Sequence, residues 1–150
     1  MSNKQAIIDK LIDAYWKELE TVQNYLALSV NLDGIQAKEI KEALAADIDA
    51  ELGHAKELAR RIKELGGVVP GSKAFKAEQS YLQTPQDTTN ILAVINGVLE
   101  AEEDAIQTYS EIIKLADGQD YVTQDLAIRL LADEEAHREE FTSFLREFKK

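Results

Sequence analysis

The sequence predicts an all-α domain, a bundle of four helices arranged as two antiparallel hairpins that are joined by a long crossover. Three observations predict it. Apolar residues recur at intervals of three and four in four long stretches, Asp-Gly pairs separate the stretches within each half, and a much longer segment separates the two halves. A chain of 150 residues can bury one core, so we expect a single domain over residues 1–150.

The first predicted helix covers about residues 3–32, and the second covers about residues 36–65. Gly34 lies in the few residues between them, and Gly66 follows the second helix, where a glycine commonly ends a helix. Because the connection is short, the two helices are expected to lie antiparallel.

The third helix is predicted to begin near Pro85, with Thr84 as its N-cap and proline at the first helical position. It is predicted to end near Ala116, before a turn at Gly118. Asp120 is placed to cap the fourth helix, which should run to the C-terminus. These two helices form the second predicted hairpin.

The segment 66–84 is too long for a turn and predicts a crossover between the hairpins. Its fully extended reach is on the order of 60 Å, whereas a 28-residue helix is about 42 Å long. The segment can therefore run the full length of the bundle and bring the third helix back to the other end.

Composition excludes several classes of function. The formal net charge of -11 argues against direct binding of nucleic acid, because phosphate contacts need a basic surface. The absence of cysteine excludes thiolate metal sites. The first residues lack the apolar core of a signal peptide, and no apolar run approaches the length of a membrane span, so we expect a cytoplasmic protein without a membrane segment.

Each helix carries one apolar stripe, here called its seam, and each seam is interrupted near its middle by a glutamate. The four are Glu18, Glu51, Glu102 and Glu134. The midpoint of the first two falls beside Gly34, and the midpoint of the last two falls at Gly118, so each hairpin should present two glutamates at one level of the core. Their neighbours Glu100 and Glu103 fall off the seam.

Both histidines of the chain are preceded by a glutamate three positions earlier, in Glu51-x-x-His54 and Glu134-x-x-His137. Residues three apart share a face of a helix, so each pair can point at one place in the core. The pattern favours a metal site built from Glu and His.

The two halves also repeat one another. Glu18 is followed seven residues later by Tyr25, and Glu102 is followed seven residues later by Tyr109. Each tyrosine therefore lies two turns from a seam glutamate. We expect plain core packing for both tyrosines, with orientation of the site by a hydrogen bond or donation of an electron as the alternatives.

Four carboxylates at one level of a core are hard to explain by packing. A single seam glutamate can extend to solvent, but isolated buried carboxylates cost several kcal/mol each. Two divalent cations would neutralise all four and leave the imidazoles as neutral donors. Mixed carboxylate and imidazole ligands suit iron, manganese or zinc. The predicted metal ligands are Glu18, Glu51, His54, Glu102, Glu134 and His137.

These residues resemble the ferritin-like superfamily, and bacterioferritin most closely, over nearly the whole chain. The resemblance rests on Glu18-Leu19 with Tyr25 downstream, the two Glu-x-x-His pairs, Glu102, and the approach Asp120-Tyr121-Val122 to Asp133-Glu134-Glu135. It implies a ferroxidase centre with two irons. Glu18 and His54 would bind one, Glu102 and His137 the other, while Glu51 and Glu134 would bridge.

The sequence departs from bacterioferritin in two places. Leu52 stands where bacterioferritins carry a haem-ligating Met, so we expect no haem, and the chain ends 13 residues after His137 without residues for a short fifth helix. Rubrerythrins share the bundle but carry cysteines that are absent here. The DNA-protecting mini-ferritins use a His on the first helix, and this helix has none.

The resulting prediction is a ferroxidase that oxidises Fe(II) with oxygen or peroxide, for iron storage or detoxification. A diiron or dimanganese peroxidase, catalase or oxygenase remains an alternative, as does a non-enzymatic metal-binding bundle. We expect a homo-oligomer, at least a dimer and more readily a shell of twelve than of twenty-four, because storage needs an enclosed volume. Trp16 and Ile12 are candidates for the dimer contact.

Overall fold

The computed structural model describes residues 2–148, and within them four long helices and no strands. Helix α1 covers Ser2–Asn31, α2 covers Ala37–Glu64, α3 covers Ile91–Ala116 and α4 covers Tyr121–Phe148. A single 3-10 turn, Ser72–Ala74, lies between α2 and α3. The predicted fold class, a ferritin-like bundle of two hairpins with a long crossover, is confirmed.

The two short turns are built around glycines in the left-handed region. Gly34 has φ 103° between α1 and α2, and Gly118 has φ 72° between α3 and α4. A side chain at either position would strain the backbone, so glycine permits the tight reversal. Asp120 then caps α4 as predicted, since its carboxylate accepts the backbone N–H of Thr123 at 3.0 Å.

The predicted start of the third helix was wrong. Helix α3 begins at Ile91 and not near Pro85, and its N-cap is Asn90, whose side chain accepts the backbone N–H of Ala93 at 3.2 Å. The residues before it are held by the first turn instead, because Asp33 donates its backbone N–H to the carbonyl of Thr88 at 3.1 Å. The crossover is thus longer than the sequence indicated.

The core consists of two hydrophobic clusters, one on either side of the level at which the seam glutamates lie. One cluster contains the buried Tyr25, Leu28, Leu44, Leu82, Ile95 and Phe141. The other contains Leu11, Leu58, Ile62, Tyr109, Ile112 and Leu130. Apolar packing on both sides fixes the four helices at the level between the clusters, which is what a site with a defined geometry requires.

Three predicted positions differ in detail. Leu92 fits the spacing of three and four residues predicted for the third helix but is 37% exposed, because it lies in the first turn of a helix that begins only at Ile91. Trp16, proposed for a dimer contact, packs its ring against Phe75 of the crossover at a centroid distance of 5.2 Å. Ile12 is partly buried against the cluster of its own chain that contains Leu11 and Tyr109.

No helix within residues 2–148 is both long enough and apolar enough to cross a membrane.

Candidate metal centre

The structure brings all six predicted ligands into one cluster between the helices. Their donor atoms form two overlapping groups, each with all atoms within 4.8 Å of one another. Two ligands, Glu51 and Glu134, belong to both groups. The four glutamates are at most 2% exposed, and His54 is 3% exposed. The first group is Glu18, Glu51, His54 and Glu134, and the second is Glu51, Glu102, Glu134 and His137.

The two tyrosines of the repeat bond crosswise to the glutamates. Tyr25 donates its hydroxyl to Oε1 of Glu102 at 2.7 Å, and Tyr109 donates to Oε1 of Glu18 at 3.0 Å. Each hydrogen bond runs from one hairpin to the other, between fully buried groups. Each bond fixes one oxygen of a glutamate. The second oxygen of Glu18, Oε2, lies 3.2 Å from Nδ1 of His54, and the second oxygen of Glu102, Oε2, is buried without a hydrogen-bond partner. The tyrosines therefore touch the predicted ligands and are more than packing residues.

Several buried donor atoms of the cluster have no hydrogen-bond partner. They are Oε1 of Glu51, Oε2 of Glu102, Oε1 of Glu134 and Nδ1 of His137. Oε1 of Glu51 lies 3.1 Å from Nδ1 of His137 without forming a hydrogen bond. Buried polar atoms are nearly always satisfied in folded proteins, so unpartnered atoms that converge on one place indicate a missing ligand.

Burial makes the free carboxylates costly. It raises the pKa of Glu18 and of Glu51 well above the ordinary value, and the neighbouring carboxylates raise both pKa values further. The pKa of Glu102 and of Glu134 is raised for the same reasons. Burial alone would lower the pKa of His54, but Glu134 and Glu51 raise it to about 9. Without cations the cluster must hold protons, and those protons are what a metal displaces.

Nearly the whole chain matches one known family. Residues 8–150 match the family model described as a ferritin-like domain. The chain belongs to the ferritin-like family. The resemblance stated on sequence motifs is thereby confirmed.

Two relatives of this ferritin-like chain are each 31% identical to it. A "DNA protection during starvation protein" of Pyrococcus furiosus matches over 146 residues, which cover 94% of this chain and 77% of the relative. A bacterioferritin of Desulfovibrio desulfuricans matches over 135 residues, which cover 89% of this chain and 71% of the relative.

Solved structures agree with the fold. A bacterioferritin-related protein of Bacteroides fragilis, described as a dodecameric thioferritin, superposes with a TM-score of 0.83 at 24% identity, over 97% of this chain and 88% of that one. The bacterioferritin of D. desulfuricans, whose structure is described by the states of its diiron site, superposes with a TM-score of 0.81 at 26% identity, over 99% and 82% of the two chains.

The donor set of the ferritin-like bundle suits a pair of divalent cations. Two such ions balance the charge of four carboxylates, which removes the cost of burying them in the core. Carboxylates and imidazoles are ligands that iron, manganese and zinc accept, and residues 2–148 offer no thiolate to favour a softer metal. The unpartnered oxygen and nitrogen atoms are the places at which such ions would bind.

Sequence reasoning gave no role to two aspartates that face the Nε2 atoms of the histidines. Oδ2 of Asp133 lies 2.9 Å from Nε2 of His54, and Oδ1 of Asp47 lies 3.5 Å from Nε2 of His137. A carboxylate at this nitrogen fixes the tautomer that leaves Nδ1 free as a ligand. The sequence held only weak signals, since Asp47 shares a helix face with Glu51 and Asp133 directly precedes Glu134.

Proposed function

We propose that this protein is a bacterioferritin-like ferroxidase that binds two Fe(II) ions in each chain and oxidises them to Fe(III) with oxygen or peroxide, for iron storage or detoxification. The observation that supports this most directly is the pair of overlapping ligand groups that share Glu51 and Glu134. A reaction that withdraws one electron from each of two ions needs the ions close together, and two carboxylates shared by both positions would hold them so.

Within this proposal each residue has a distinct task. Glu18 and His54 hold one ion, Glu102 and His137 hold the other, and the shared glutamates bridge them. Tyr25 and Tyr109 orient the two terminal glutamates through the crosswise hydrogen bonds. Manganese or zinc would fit the same donor atoms, so the choice of iron belongs to the proposal and does not follow from the geometry of the site.

The electrons balance with the substrates named. Each Fe(II) gives one electron, so two ions reduce one oxygen molecule to hydrogen peroxide, or one hydrogen peroxide to two waters, with protons taken from solvent. Carboxylates favour the ferric product because they are hard, anionic donors. The product either moves on as a precursor of mineral or stays as a stable diferric pair.

The test is a titration of metal-free protein with Fe(II) under argon, followed by addition of oxygen or of peroxide. We expect two Fe(II) per chain, and a rise in near-ultraviolet absorbance as both become Fe(III). Binding of two ions without any oxidation would leave a non-enzymatic metal-binding bundle, and sustained turnover of peroxide without added iron would favour a peroxidase or catalase. Either result would contradict the ferroxidase proposal.

We also infer that the protein works without haem. Leu52, at the position of the haem-ligating Met in bacterioferritin, has no lone pair for an axial bond, and the two histidines face the metal cluster. Protein expressed with excess haem should show no stoichiometric Soret band. A band of one haem per two chains would overturn this inference.

For assembly we infer a homo-oligomer, at least a dimer, and a shell of twelve if the protein stores iron. The B. fragilis structure is described as dodecameric, although it shares only the fold with this chain. Leu26 and Val30 of α1 are 54% and 68% exposed, one turn apart, which leaves apolar surface for a partner copy. Light scattering coupled to size exclusion would decide, since a mass of two 16.8-kDa chains at all concentrations would remove the cage. The cytoplasmic location stays a prediction.

A further inference from the structure

The crossover docks on the bundle through five consecutive residues, 78–82, which are here called the clamp. On the α1 side, both oxygens of Glu20 accept hydrogen bonds from the clamp backbone. The N–H of Glu78 lies 3.0 Å from each oxygen, and the N–H of Gln79 lies 2.9 Å from Oε2. Glu20 is 5% exposed, so a buried charge is used to hold a loop segment.

A second contact to α1 uses the side chain of Gln79, which is itself 5% exposed. Its amide group donates to Oγ1 of Thr21 at 2.8 Å, and its carbonyl accepts from Nδ2 of Asn24 at 3.0 Å. All three side chains are nine-tenths or more buried. A fully satisfied buried polar network of this kind fixes one position of the segment, because any shift leaves polar groups unpaired.

On the α3 side, the clamp approaches the helix more closely than any side chain would allow. A Cβ atom at Gly97 would lie 2.3 Å from the carbonyl oxygen of Tyr81. The next clamp residue, Leu82, is 1% exposed and belongs to the hydrophobic cluster that contains Tyr25 and Val98. The clamp therefore fills the groove between α1 and α3 on one side of the metal cluster.

The clamp contacts α1 and α3 close to the height at which the candidate ligands lie. Its contacts on α1 fall between Glu18 and Tyr25, and its contact on α3 falls five residues before Glu102. Tyr25 donates its hydroxyl to Oε1 of Glu102 across this same groove. That hydrogen bond joins α1 to α3, the same two helices that the clamp contacts.

We propose that residues 78–82 are a positioning element of the metal centre, which holds Tyr25 against Glu102 and thereby sets the affinity of the metal position on the α3–α4 hairpin. This inference rests on the proposed function, since it concerns one of the two metal positions. It assigns the crossover a role in metal binding that the ligand pattern alone does not contain.

The chain offers a matched pair of variants. Gly97→Ala places a methyl group against the carbonyl of Tyr81 and must displace the clamp. Gly71→Ala adds the same group to the same crossover, where nothing lies within 4 Å of the new Cβ and φ is -85°. The only tryptophan, Trp16, packs against Phe75, which lies three residues before the clamp, so quenching of its fluorescence by acrylamide reports the displacement.

The metal readout is a titration with Co(II) alone, followed by visible absorption, together with the quenching of Trp16. Wild type should bind two Co(II) per chain. Gly97→Ala should increase the quenching, weaken one of the two Co(II) about tenfold or more, and change the spectrum of that ion only. Gly71→Ala should change neither quantity. Tyr25→Phe should weaken the same ion without a change in quenching.

The double variant tests whether clamp and tyrosine act by one route. Gly97→Ala with Tyr25→Phe should weaken the ion no further than the stronger single variant, because the same hydrogen bond is lost in both. Fully additive losses would overturn the proposal. So would increased quenching with both Co(II) affinities intact, equal weakening of both ions, or no change in either readout.

Two further results are distinguishable from these. If Gly97→Ala does not fold, Gln79→Ala removes both side-chain hydrogen bonds to α1 without a steric clash, and the same selective weakening is expected from it. If wild type itself fails to bind two Co(II), the metal centre proposed above is refuted independently of the clamp, because that result needs no variant.

Discussion

The two halves of the candidate metal centre carry the same residue types but hold them differently. On the α1–α2 hairpin, the side chain of His54 is 4% exposed, its Nδ1 lies 3.2 Å from Glu18 and its Nε2 lies 2.9 Å from Asp133. On the α3–α4 hairpin, the side chain of His137 is 14% exposed, its Nδ1 has no hydrogen-bond partner and its Nε2 lies 3.5 Å from Asp47.

This difference shows that the internal repeat includes the seam glutamates, the histidines and the two tyrosines, but not the aspartates that face the histidines. Asp133 directly precedes Glu134, whereas Asp47 lies four residues before Glu51, so the two aspartates occupy different places in the repeat. Both ring nitrogens of His54 are held by neighbouring carboxylates, whereas Nδ1 of His137 has no hydrogen-bond partner. We therefore expect the His54 position to bind the first cation more tightly.

The largest effect should come from the ligands that the halves share. Glu51→Ala or Glu134→Ala should abolish binding at both positions, because each carboxylate belongs to both ligand groups. Zinc content per chain after equilibrium dialysis measures this, and the expected value falls from about two to below one. Retention of two ions by either variant would show that the glutamate does not bridge.

A smaller effect should come from ligands of one half. Glu102→Ala should remove the His137 position alone and strongly slow Fe(II) oxidation, because the remaining ion has no partner. Glu103→Ala is the control, since Glu103 has a side chain 60% exposed and pairs with Arg138 on the surface. Stopped-flow absorbance with oxygen measures both. A larger effect of Glu103→Ala than of Glu102→Ala would show that a different face of α3 points toward the site.

The supports of the histidines should matter less than the ligands. Asp133→Asn should weaken cation binding at the His54 position about tenfold, because the carboxylate that fixes its tautomer is lost. Asp47→Asn should weaken the His137 position by less, since that contact is 3.5 Å long. Calorimetric titration with Zn(II) separates the two steps. A larger loss in Asp47→Asn would mean that the second half is the better supported one.

Much of this candidate centre could be predicted from sequence because the spacing of residues within single helices and hairpins determines it. The spacing of Glu51 and His54 places both on one face of a helix, and a short turn at Gly34 forces Glu18 and Glu51 to one level. The ligand residues are also polar where the pattern requires apolar ones, which makes them conspicuous. The six residues that sequence singled out are the six that the structure brings together.

The rest could not be predicted because it depends on contacts between distant segments. Pro85 and Thr84 have the chemistry of a helix start, but Asn90 takes that role because the preceding residues pack against the first turn. Trp16 looked like a surface residue because its partner, Phe75, lies in a segment without periodicity. The roles of Glu20 and Gly97 likewise exist only once the crossover is in place.

The smallest expected effect concerns the stability of the metal-free protein, and it separates the two aspartates. Burial raises the pKa of Asp47 from 3.8 to about 6, although the charge of His137 opposes the rise. The folded state therefore binds more protons than the unfolded state between pH 4 and pH 6, so the contribution of Asp47 to stability falls as the pH rises through this window.

Asp47→Asn should accordingly flatten the decline in the free energy of unfolding between pH 4 and pH 6, by about 1 kcal/mol after allowance for solvent screening. The pKa of His137 is raised to about 10 by Glu51 and Asp47 against the effect of burial, so that group is protonated in both states through most of this window. The four buried glutamates are present in both wild type and Asp47→Asn, so their pH dependence cancels in the difference between the two proteins. Urea unfolding with a chelator present measures the difference, and Asp133→Asn, at a side chain 58% exposed, is the control. An equal change in both variants would show that burial of Asp47 is not its cause.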